Sequence, residues 1–207
     1  MAPRRSREKL SRRAGVELGL KGARQLAGKS GRIRRPAPPG QHGRRRARRE
    51  SDYLLQLKEK QKLQWFYGVA AGQLRRYVDA SSRQQEATGD ELLRQLEERL
   101  DNVVYRLGWS GTRAQARQFV THGHVQVNGE RVNRPSYQVR ANDVIAIKPN
   151  SAVEPLAREA IDLGFTVPGW LSRDGETLTG RVAHRPAREE IDVPVDINRV
   201  VEFFAKF

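Results

Sequence analysis

The sequence predicts an α+β protein: a mainly helical domain, a smaller domain with two helices on a short antiparallel sheet, and an extended basic N-terminal segment. Apolar residues recur every three or four positions from Leu92 to Leu107, which is the spacing of a helix face. Apolar and polar residues later alternate on both sides of Asn128-Gly129, a strong hairpin signal. Residues 1–50 show neither pattern, and their composition is strongly basic.

Charge is the most unequally distributed property of the chain. Residues 1–50 contain 17 lysines and arginines against 3 acidic residues, a net charge of +14, while all 207 residues together carry +15. Like charges at this density repel one another, so a nucleic-acid backbone is a better explanation than a solvated tail that only aids solubility. The chain has no cysteine, which excludes disulfides and thiolate zinc sites.

The N-terminal segment is expected to be irregular until it is bound. It contains seven glycines, and Pro36, Pro38 and Pro39 lie close together near its end. Without an apolar period, the segment cannot bury enough surface to offset its chain entropy. It is rich in arginine, as transit peptides are, but it is not rich in serine, so we interpret it as part of the mature protein. No apolar run approaches the length of a membrane span.

Helices are predicted next along the chain. Ser51 is a favourable N-cap, and no helix breaker follows it before Gly68. Residues 69–80 indicate a second helix. A capping-box motif at 88–91 opens the strongest helical pattern, which reaches residue 107 as one helix or as two helices end to end.

The following region changes from a helical to a strand period. A second capping-box motif at 112–115 opens a helix that ends before Gly123. Alternation over 125–131 predicts a hairpin, and 137–139 and 144–147 predict two further short strands.

The C-terminal part contains three weaker signals. Residues 154–163 indicate a short helix, residues 177–184 a strand, and residues 196–206 a last helix capped by Asp196. The predicted domains are an extended basic segment (1–50), a helical domain (51–97, completed by 185–207) and an α+β domain (98–184).

The stretch 112–129 carries the clearest binding chemistry. Arg113 and Arg117 are four residues apart, so they share one helix face, which we expect to point away from the apolar face. Free amides at the helix N-terminus would add a phosphate site on the same side. His124 and Gln126 lie on one face of the strand that follows. This combination suits the shape and phosphates of folded RNA, although an ordinary module with a solvated basic face remains the alternative.

Catalysis has little support in the sequence. His122 and His124 are the nearest approach to a site, but they have no carboxylate or cysteine close by, and no phosphate-binding loop or dinucleotide motif occurs. Trp65, Trp109 and Trp170 could stack on bases, but their apolar neighbours favour a place in the core. We therefore predict no catalytic residue, no metal and no cofactor.

Several long motifs together resemble one protein family. They lie at 38–43 (Pro-Pro-Gly-Gln-His-Gly), 51–63, 99–108, 112–118 and 122–129. From about residue 4 to the C-terminus the chain resembles the bacterial-type family of small-subunit ribosomal protein S-four, in its cysteine-less, zinc-free form. The stretch 112–129 alone is less specific, since it also resembles RNA-binding modules of pseudouridine synthases, a tyrosyl-tRNA synthetase and a heat-shock protein. An RNA-modifying enzyme would need a further catalytic domain, for which we expect no room.

The resemblance implies a structural constituent of the cytoplasmic ribosome that is not an enzyme. Members of this family bind the small-subunit rRNA directly at a multi-helix junction of its 5′ region, early in assembly, and organise the body of the particle. They lie beside protein S-five at a surface linked to translational accuracy, near the path by which mRNA enters. Some members repress their own mRNA. No membrane or small-molecule substrate is implied.

The expected RNA contacts are basic, polar or backbone groups in the segments described above. They are Arg4, Arg5, Arg12, Arg13, Arg34, Arg35, Gln41, His42, Arg44, Arg45, Arg46, Arg48, Arg49, Tyr53, Lys58, Lys60, Lys62, Arg75, Arg76, Arg113, Gln115, Arg117, His122, Gly123, His124, Asn128 and Arg131.

Overall fold

The computed structural model describes residues 6–22, 27–41, 50–174 and 176–206. The chain forms two compact units, Met1–Leu92 with Val193–Phe207, and Leu93–Asp192. The sequence predicted domain boundaries at 97/98 and 184/185, and that division stays a prediction. One helix, Thr88–Glu97, crosses the first boundary between the units, which explains why periodicity alone does not locate it.

Helices make up the described part of the first unit. They are α1 (Arg7–Ala14), α2 (Gly31–Arg34), α3 (Asp52–Tyr67), α4 (Ala71–Ser81), the start of α5 (Thr88–Glu97) and, at the C-terminus, α9 (Ile197–Ala205). The predicted caps of two helices are confirmed: the Ser51 hydroxyl accepts a bond from the Leu54 amide, and the Asp196 carboxylate accepts one from the Arg199 amide.

The C-terminal helix α9 packs on α3 and completes this unit. Leu63 and Val200 are fully buried there. Gln56 is also buried, and its amide donates to Glu202 on α9 at 2.8 Å while its carbonyl accepts from Lys206 at 3.1 Å. The interface thus combines apolar packing with satisfied polar contacts, which fix how the two helices align.

The prediction of an irregular N-terminal segment is wrong for α1 and α2. Glu8 on α1 accepts a hydrogen bond from the Gly31 amide at the start of α2, and the Ser30 hydroxyl caps α2 by accepting from Ile33. Leu18, which lies between α1 and α2 in the sequence, is fully buried. Capping and polar contacts between short helices leave no apolar period in the sequence, so a search for periodicity misses them.

The second unit combines helices with one sheet. Its elements after α5 are α6 (Leu100–Arg106), α7 (Arg113–Thr121), β1 (Val125–Val127), β2 (Glu130–Arg131), β3 (Val144–Ile147), α8 (Glu154–Asp162), β4 (Leu171–Asp174), β5 (Thr179–Val182) and a 3₁₀ turn (Arg188–Glu190). The strands are antiparallel in the order β2-β1-β3-β5-β4. The predicted α+β fold class is confirmed.

The core of the second unit lies on one face of this sheet. Val125 pairs with Ile147 in the register, and both side chains are buried with those of α6, α7 and α8. Trp109 and Trp170 are 0% and 1% exposed, so their predicted place in the core is confirmed. Trp65 is half-buried.

The hairpin and the long helical pattern of the sequence both take a definite form. Asn128 and Gly129 have φ values of 51° and 84°, the left-handed pair that a two-residue hairpin turn requires. The helical pattern of 88–107 is divided into α5 and α6, because the chain adopts an extended conformation at Arg99 (φ −66°, ψ 133°).

The predicted strand at 137–139 is wrong. Its backbone pairs with the junction of α5 and α6 instead: the Leu100 amide donates to the Tyr137 carbonyl, and the Val139 amide donates to the Glu98 carbonyl, both at 2.9 Å. Strand β4 was not predicted, because Leu171–Asp174 has only one buried residue at its start. It pairs with β5, which occupies the middle of the predicted strand 177–184.

No helix in the described residues is long and apolar enough to cross a membrane.

Candidate nucleic-acid interface

The N-terminus of α7 is capped by its own side chains. The Thr112 hydroxyl accepts from the Gln115 amide at 3.2 Å, as the predicted capping box requires. The Gln115 side chain accepts from the Gly111 amide at 3.0 Å rather than from that of Thr112. Amides that were expected to be free for phosphate are therefore occupied in part by the protein itself.

Arg113 is directed into the fold, so the prediction that both arginines of α7 point away from it is wrong for this residue. Its Nε donates to the Asn102 side chain on α6 at 2.8 Å. Its guanidinium lies over the Tyr105 ring, 4.4 Å from the centroid. Sequence spacing shows that Arg113 and Arg117 share a face, but it cannot show that α6 supplies an aromatic ring and an amide beside the first of them.

A buried polar network continues from this point. Asn102 donates to the Glu97 carboxylate at 2.6 Å, and Arg106 forms a two-pronged ion pair with the same carboxylate at 2.6 and 2.9 Å. Glu97 is fully buried. These charges are paired within the fold, so their role is to align α5, α6 and α7 rather than to perform chemistry.

Arg117 reaches the surface. Its side chain is 50% exposed, and one guanidinium nitrogen lies 3.3 Å from the carboxylate of buried Asp101. Arg117 therefore presents positive charge to solvent, as predicted from the sequence, while its guanidinium contacts the carboxylate of buried Asp101.

The turn after α7 lies against an arginine of β2. Gly123 has a φ of +73°, and the Arg131 guanidinium from β2 lies against its backbone, where any Cβ atom would collide with it. Arg131 also donates to the His122 carbonyl at 3.4 Å. Glycine at 123 thus permits both the turn and the close approach of Arg131.

His124 follows this turn and lies close to several charged side chains. Its Nδ1 is 2.8 Å from the Ser151 hydroxyl. Burial, followed by the charges of His122, Arg131 and Lys148, lowers the pKa of His124 below its ordinary value. His124 is consequently a neutral hydrogen-bonding group at pH 7 within a positively charged surrounding.

Sequence reasoning missed Lys148. Its backbone amide donates to the His124 carbonyl at 2.9 Å, and its exposed side chain adds to the charge around that residue. The pairing of Val125 with Ile147 brings these neighbours together. The strands were recognisable in the sequence, but the register of β1 and β3 was not predicted.

We define the cationic surface of the second unit as the exposed basic side chains and histidines of α7, the α7–β1 turn and the neighbouring strand ends. They are Arg117, His122, His124, Arg131 and Lys148. Gln126 pairs with Arg131 across the β1–β2 register and extends this surface with a polar side chain. Asn128 is engaged elsewhere: its side chain donates to Asp143 and accepts from the Val144 amide, both at 2.9 Å.

The lysines predicted to bind RNA on α3 form contacts within the first unit. Lys58, whose side chain is 40% exposed, pairs with Glu50. Lys62 pairs with Glu59 at 2.6 Å, and both of these side chains are largely buried. Lys60 lies over the Phe203 ring at 4.4 Å, and burial lowers the pKa of Lys60. That these lysines bind RNA remains a prediction.

Other predicted residues of the first unit differ in exposure. Arg12 donates twice to the Ala37 carbonyl, at 3.0 and 2.9 Å, and Tyr53 is 49% exposed. Arg75 lies 3.9 Å from Asp79 on the same helix. Exposed side chains belong to Arg13, Arg34, Arg35, Gln41 and Arg76. Eight predicted residues lie outside the described residues: Arg4, Arg5, His42, Arg44, Arg45, Arg46, Arg48 and Arg49.

Within the described ranges, no group of three or more histidine or acidic side chains is arranged to hold a metal ion. The side chains around α7 supply hydrogen-bond donors and positive charge, which suit contacts with phosphates and 2′-hydroxyls.

Comparison with known proteins gives consistent matches over almost the whole chain. Residues 3–97 match the family described as ribosomal protein S4/S9 N-terminal domain, and residues 98–145 match the S4 domain. The chain is 47% identical over 200 residues to small ribosomal subunit protein uS4 of Natranaerobius thermophilus and to that of Thermus thermophilus. It is 47% identical over 199 residues to protein uS4A of Symbiobacterium thermophilum. Each match covers 96% of this chain and 96% of the relative.

Proposed function

This chain belongs to the family of small ribosomal subunit protein uS4, and from that premise we propose that it binds small-subunit rRNA directly. It is a structural protein of the small ribosomal subunit, located in the cytoplasmic ribosome, and it is not an enzyme. The observation that carries the proposal is the 47% identity across 96% of both chains.

The charge distribution and the cationic surface support direct binding. Most of the net charge of +15 lies in residues 1–50, and the charges of His122, Arg131 and Lys148 act on His124 beside the α7–β1 turn. Each phosphate that such residues neutralise releases condensed counterions, which favours association. All the RNA contacts predicted from the sequence, including those outside the described residues, belong to this proposal.

Sedimentation of a cell lysate tests it. A tagged form of the chain should travel with small subunits and remain there after a moderate salt wash. If the chain stays at the top of the gradient while other small-subunit proteins sediment, the proposed function is wrong.

We further propose the finer role that the family resemblance implies. The chain binds a multi-helix junction in the 5′ region of the rRNA early, and so nucleates assembly of the body. Reconstitution tests this by order of addition: the chain should bind deproteinised rRNA without help from other proteins. A strict requirement for earlier proteins would contradict the primary role.

The proposal also includes contacts of the chain with protein S-five and with mRNA near its path into the particle. Through these contacts the chain would contribute to translational accuracy. Repression of its own mRNA would use the same surface, because phosphate and shape contacts do not depend on which structured RNA presents them. Competition between small-subunit rRNA and the chain's own mRNA would test this: mutual exclusion supports one shared surface.

A further inference from the structure

Asp101 is a carboxylate held between two arginines at the start of α6. It is 4% exposed. Arg99, which is 2% exposed, donates its Nε to one carboxylate oxygen at 3.0 Å and its Nη2 to the other at 2.7 Å. Arg117 on α7 donates Nη1 to the second of these oxygens at 3.3 Å. Of the three side chains, Arg117 is the one that is half exposed.

The bidentate pair with Arg99 already neutralises Asp101. The bond from Arg117 is therefore not needed to compensate a buried charge, and the cluster of two arginines and one aspartate carries a net positive charge at Arg117. What the bond does is restrict the direction of a long side chain. An arginine fork that is fixed before binding loses less conformational freedom when it meets a phosphate.

We propose that Asp101 is a positioning residue for RNA recognition, which holds the Arg117 guanidinium in the orientation that an RNA phosphate meets. This inference rests on the proposed function, since it assumes that the cationic surface binds RNA. Under this inference, a buried acidic residue strengthens binding to RNA, although its negative charge alone would weaken it. Arg113, on the same helix, provides the contrast, because Asn102 and Tyr105 hold it inside the fold.

The positioning role and simple electrostatics predict opposite results for Asp101→Asn. If only charge mattered, removal of a negative charge near the phosphates would strengthen binding. If Asp101 orients Arg117, the same substitution weakens binding even though the net charge rises. Glu159→Gln is the matched control, because it makes the same change of charge at an exposed position on α8.

The experiment measures filter binding of the full chain to an in vitro transcript of the 5′ region of small-subunit rRNA. We expect Asp101→Asn to lower affinity about tenfold, the equivalent of one charge-assisted contact. Glu159→Gln should leave affinity unchanged or slightly higher. Binding by Asp101→Asn as tight as that of wild type, or tighter, overturns the inference.

A double-mutant cycle separates positioning from structural support. Asp101→Asn also weakens the pair with buried Arg99, so affinity is expressed per folded molecule, with the folded fraction from circular dichroism. In an Arg117→Ala background, Asp101→Asn should cause no further loss of affinity, whereas a purely structural role gives the same loss in both backgrounds.

A charge-conserving pair covers the case in which Asp101→Asn fails to fold. Arg117→Lys should bind about tenfold more weakly, because an ammonium cannot form the planar fork to a phosphate while it contacts Asp101. Arg158→Lys, at a side chain that is also 50% exposed, should bind as wild type does. Equal affinity of Arg117→Lys and wild type contradicts the inference, while a wild-type chain that binds no rRNA contradicts the proposed function instead.

Discussion

At the scale of single residues, the region around α7 depends on side chains that hold one another in place. Asn102 links Glu97 to Arg113, and Arg113 also packs on Tyr105. The strength of such a network comes from groups that are buried and satisfied, since a partner left alone in a low dielectric is costly. Exposed charges nearby contribute little to stability.

Replacement of Arg113 by alanine tests this division. Arg113→Ala should lower the free energy of unfolding by about 2 kcal/mol, because it removes a cation–π contact and a bond to a buried amide. Arg117→Ala is the control at the exposed position and should cost less than about 1 kcal/mol. Denaturant titration measures both, and equal losses would show that Arg113 is not the structural member of the pair.

His124 should make the stability of the fold depend on pH. Its folded pKa lies below the ordinary value of about 6.5, so the unfolded chain takes up its proton first. Stability should therefore fall as pH decreases from about 6.5 towards the folded pKa, and be fully present above that window. The difference between wild type and His124→Gln, measured by urea unfolding at several pH values, isolates this residue; an unchanged difference across the window would contradict it.

The same residue should act in the opposite direction on RNA binding. A phosphate beside His124 favours the protonated ring, so affinity for rRNA should increase as pH falls through that window, and His124→Gln should remove part of the increase.

Among the residues, the sequence identified the exposed charges better than the buried ones. Arg117, His122 and Arg131 lie at the surface as expected. Arg113 was misplaced, because its environment is built by α6, eleven positions away in sequence. Lys148 was missed because its neighbours are set by strand register.

At the scale of elements, the turn between α7 and β1 determines how the cationic surface is assembled. Gly123 ends the helix in a left-handed conformation and leaves room for Arg131 from β2. The junction of α7 and β1 thereby receives the Arg131 side chain from β2. The hairpin turn at Asn128-Gly129 supports this by fixing the register that pairs Gln126 with Arg131.

Two alanine substitutions distinguish turn geometry from close packing. Gly129→Ala, with φ +84° and open space around its Cβ position, should cost about 1 kcal/mol through backbone strain alone. Gly123→Ala carries a similar strain and also displaces the Arg131 guanidinium, so it should cost more stability and also weaken rRNA binding. Thermal melts and filter binding on both variants measure this. If Gly123→Ala resembles Gly129→Ala in both, the contact with Arg131 is unimportant.

The N-terminal helices should be the least stable elements of the first unit. The described part of α1 buries a serine and no large apolar side chain, whereas α3 buries Leu63 and Phe66. Amide exchange in the free chain should therefore be faster in α1 and α2 than in α3, and should slow on binding to rRNA. Equal protection of all three helices without RNA would contradict this expectation.

Long periodic elements and capped helices followed from the sequence, while short polar ones did not. Helices α3 and α9 begin at the serine and aspartate caps that the sequence indicates. Strand β4 was missed because it has a single buried residue and so shows no alternation. The segment 137–139 was wrongly predicted as a strand, because its backbone pairs with a distant helix junction, which local alternation cannot reveal.

At the scale of the whole molecule, the first fifty residues carry nearly all the net charge, while the second unit presents a smaller cationic surface built from residues of α7, the turn after it and the sheet. Composition predicted a polyanionic partner, and long motifs predicted the family. The placement of charges around Asp101 and His124 required the structure, because it depends on contacts between helices and strands.

The salt dependence of direct rRNA binding tests the central claim most directly. Purified full-length chain is titrated with deproteinised small-subunit rRNA and, in parallel, with an unrelated structured RNA of equal length, from low to moderate salt. With each neutralised phosphate contributing about −0.7 to −0.9, the log–log slope of affinity against salt should be about −5 or steeper, and the small-subunit rRNA should bind more tightly. A slope near zero, or equal affinity for both RNAs, would contradict the account of this chain as a direct and specific rRNA-binding protein.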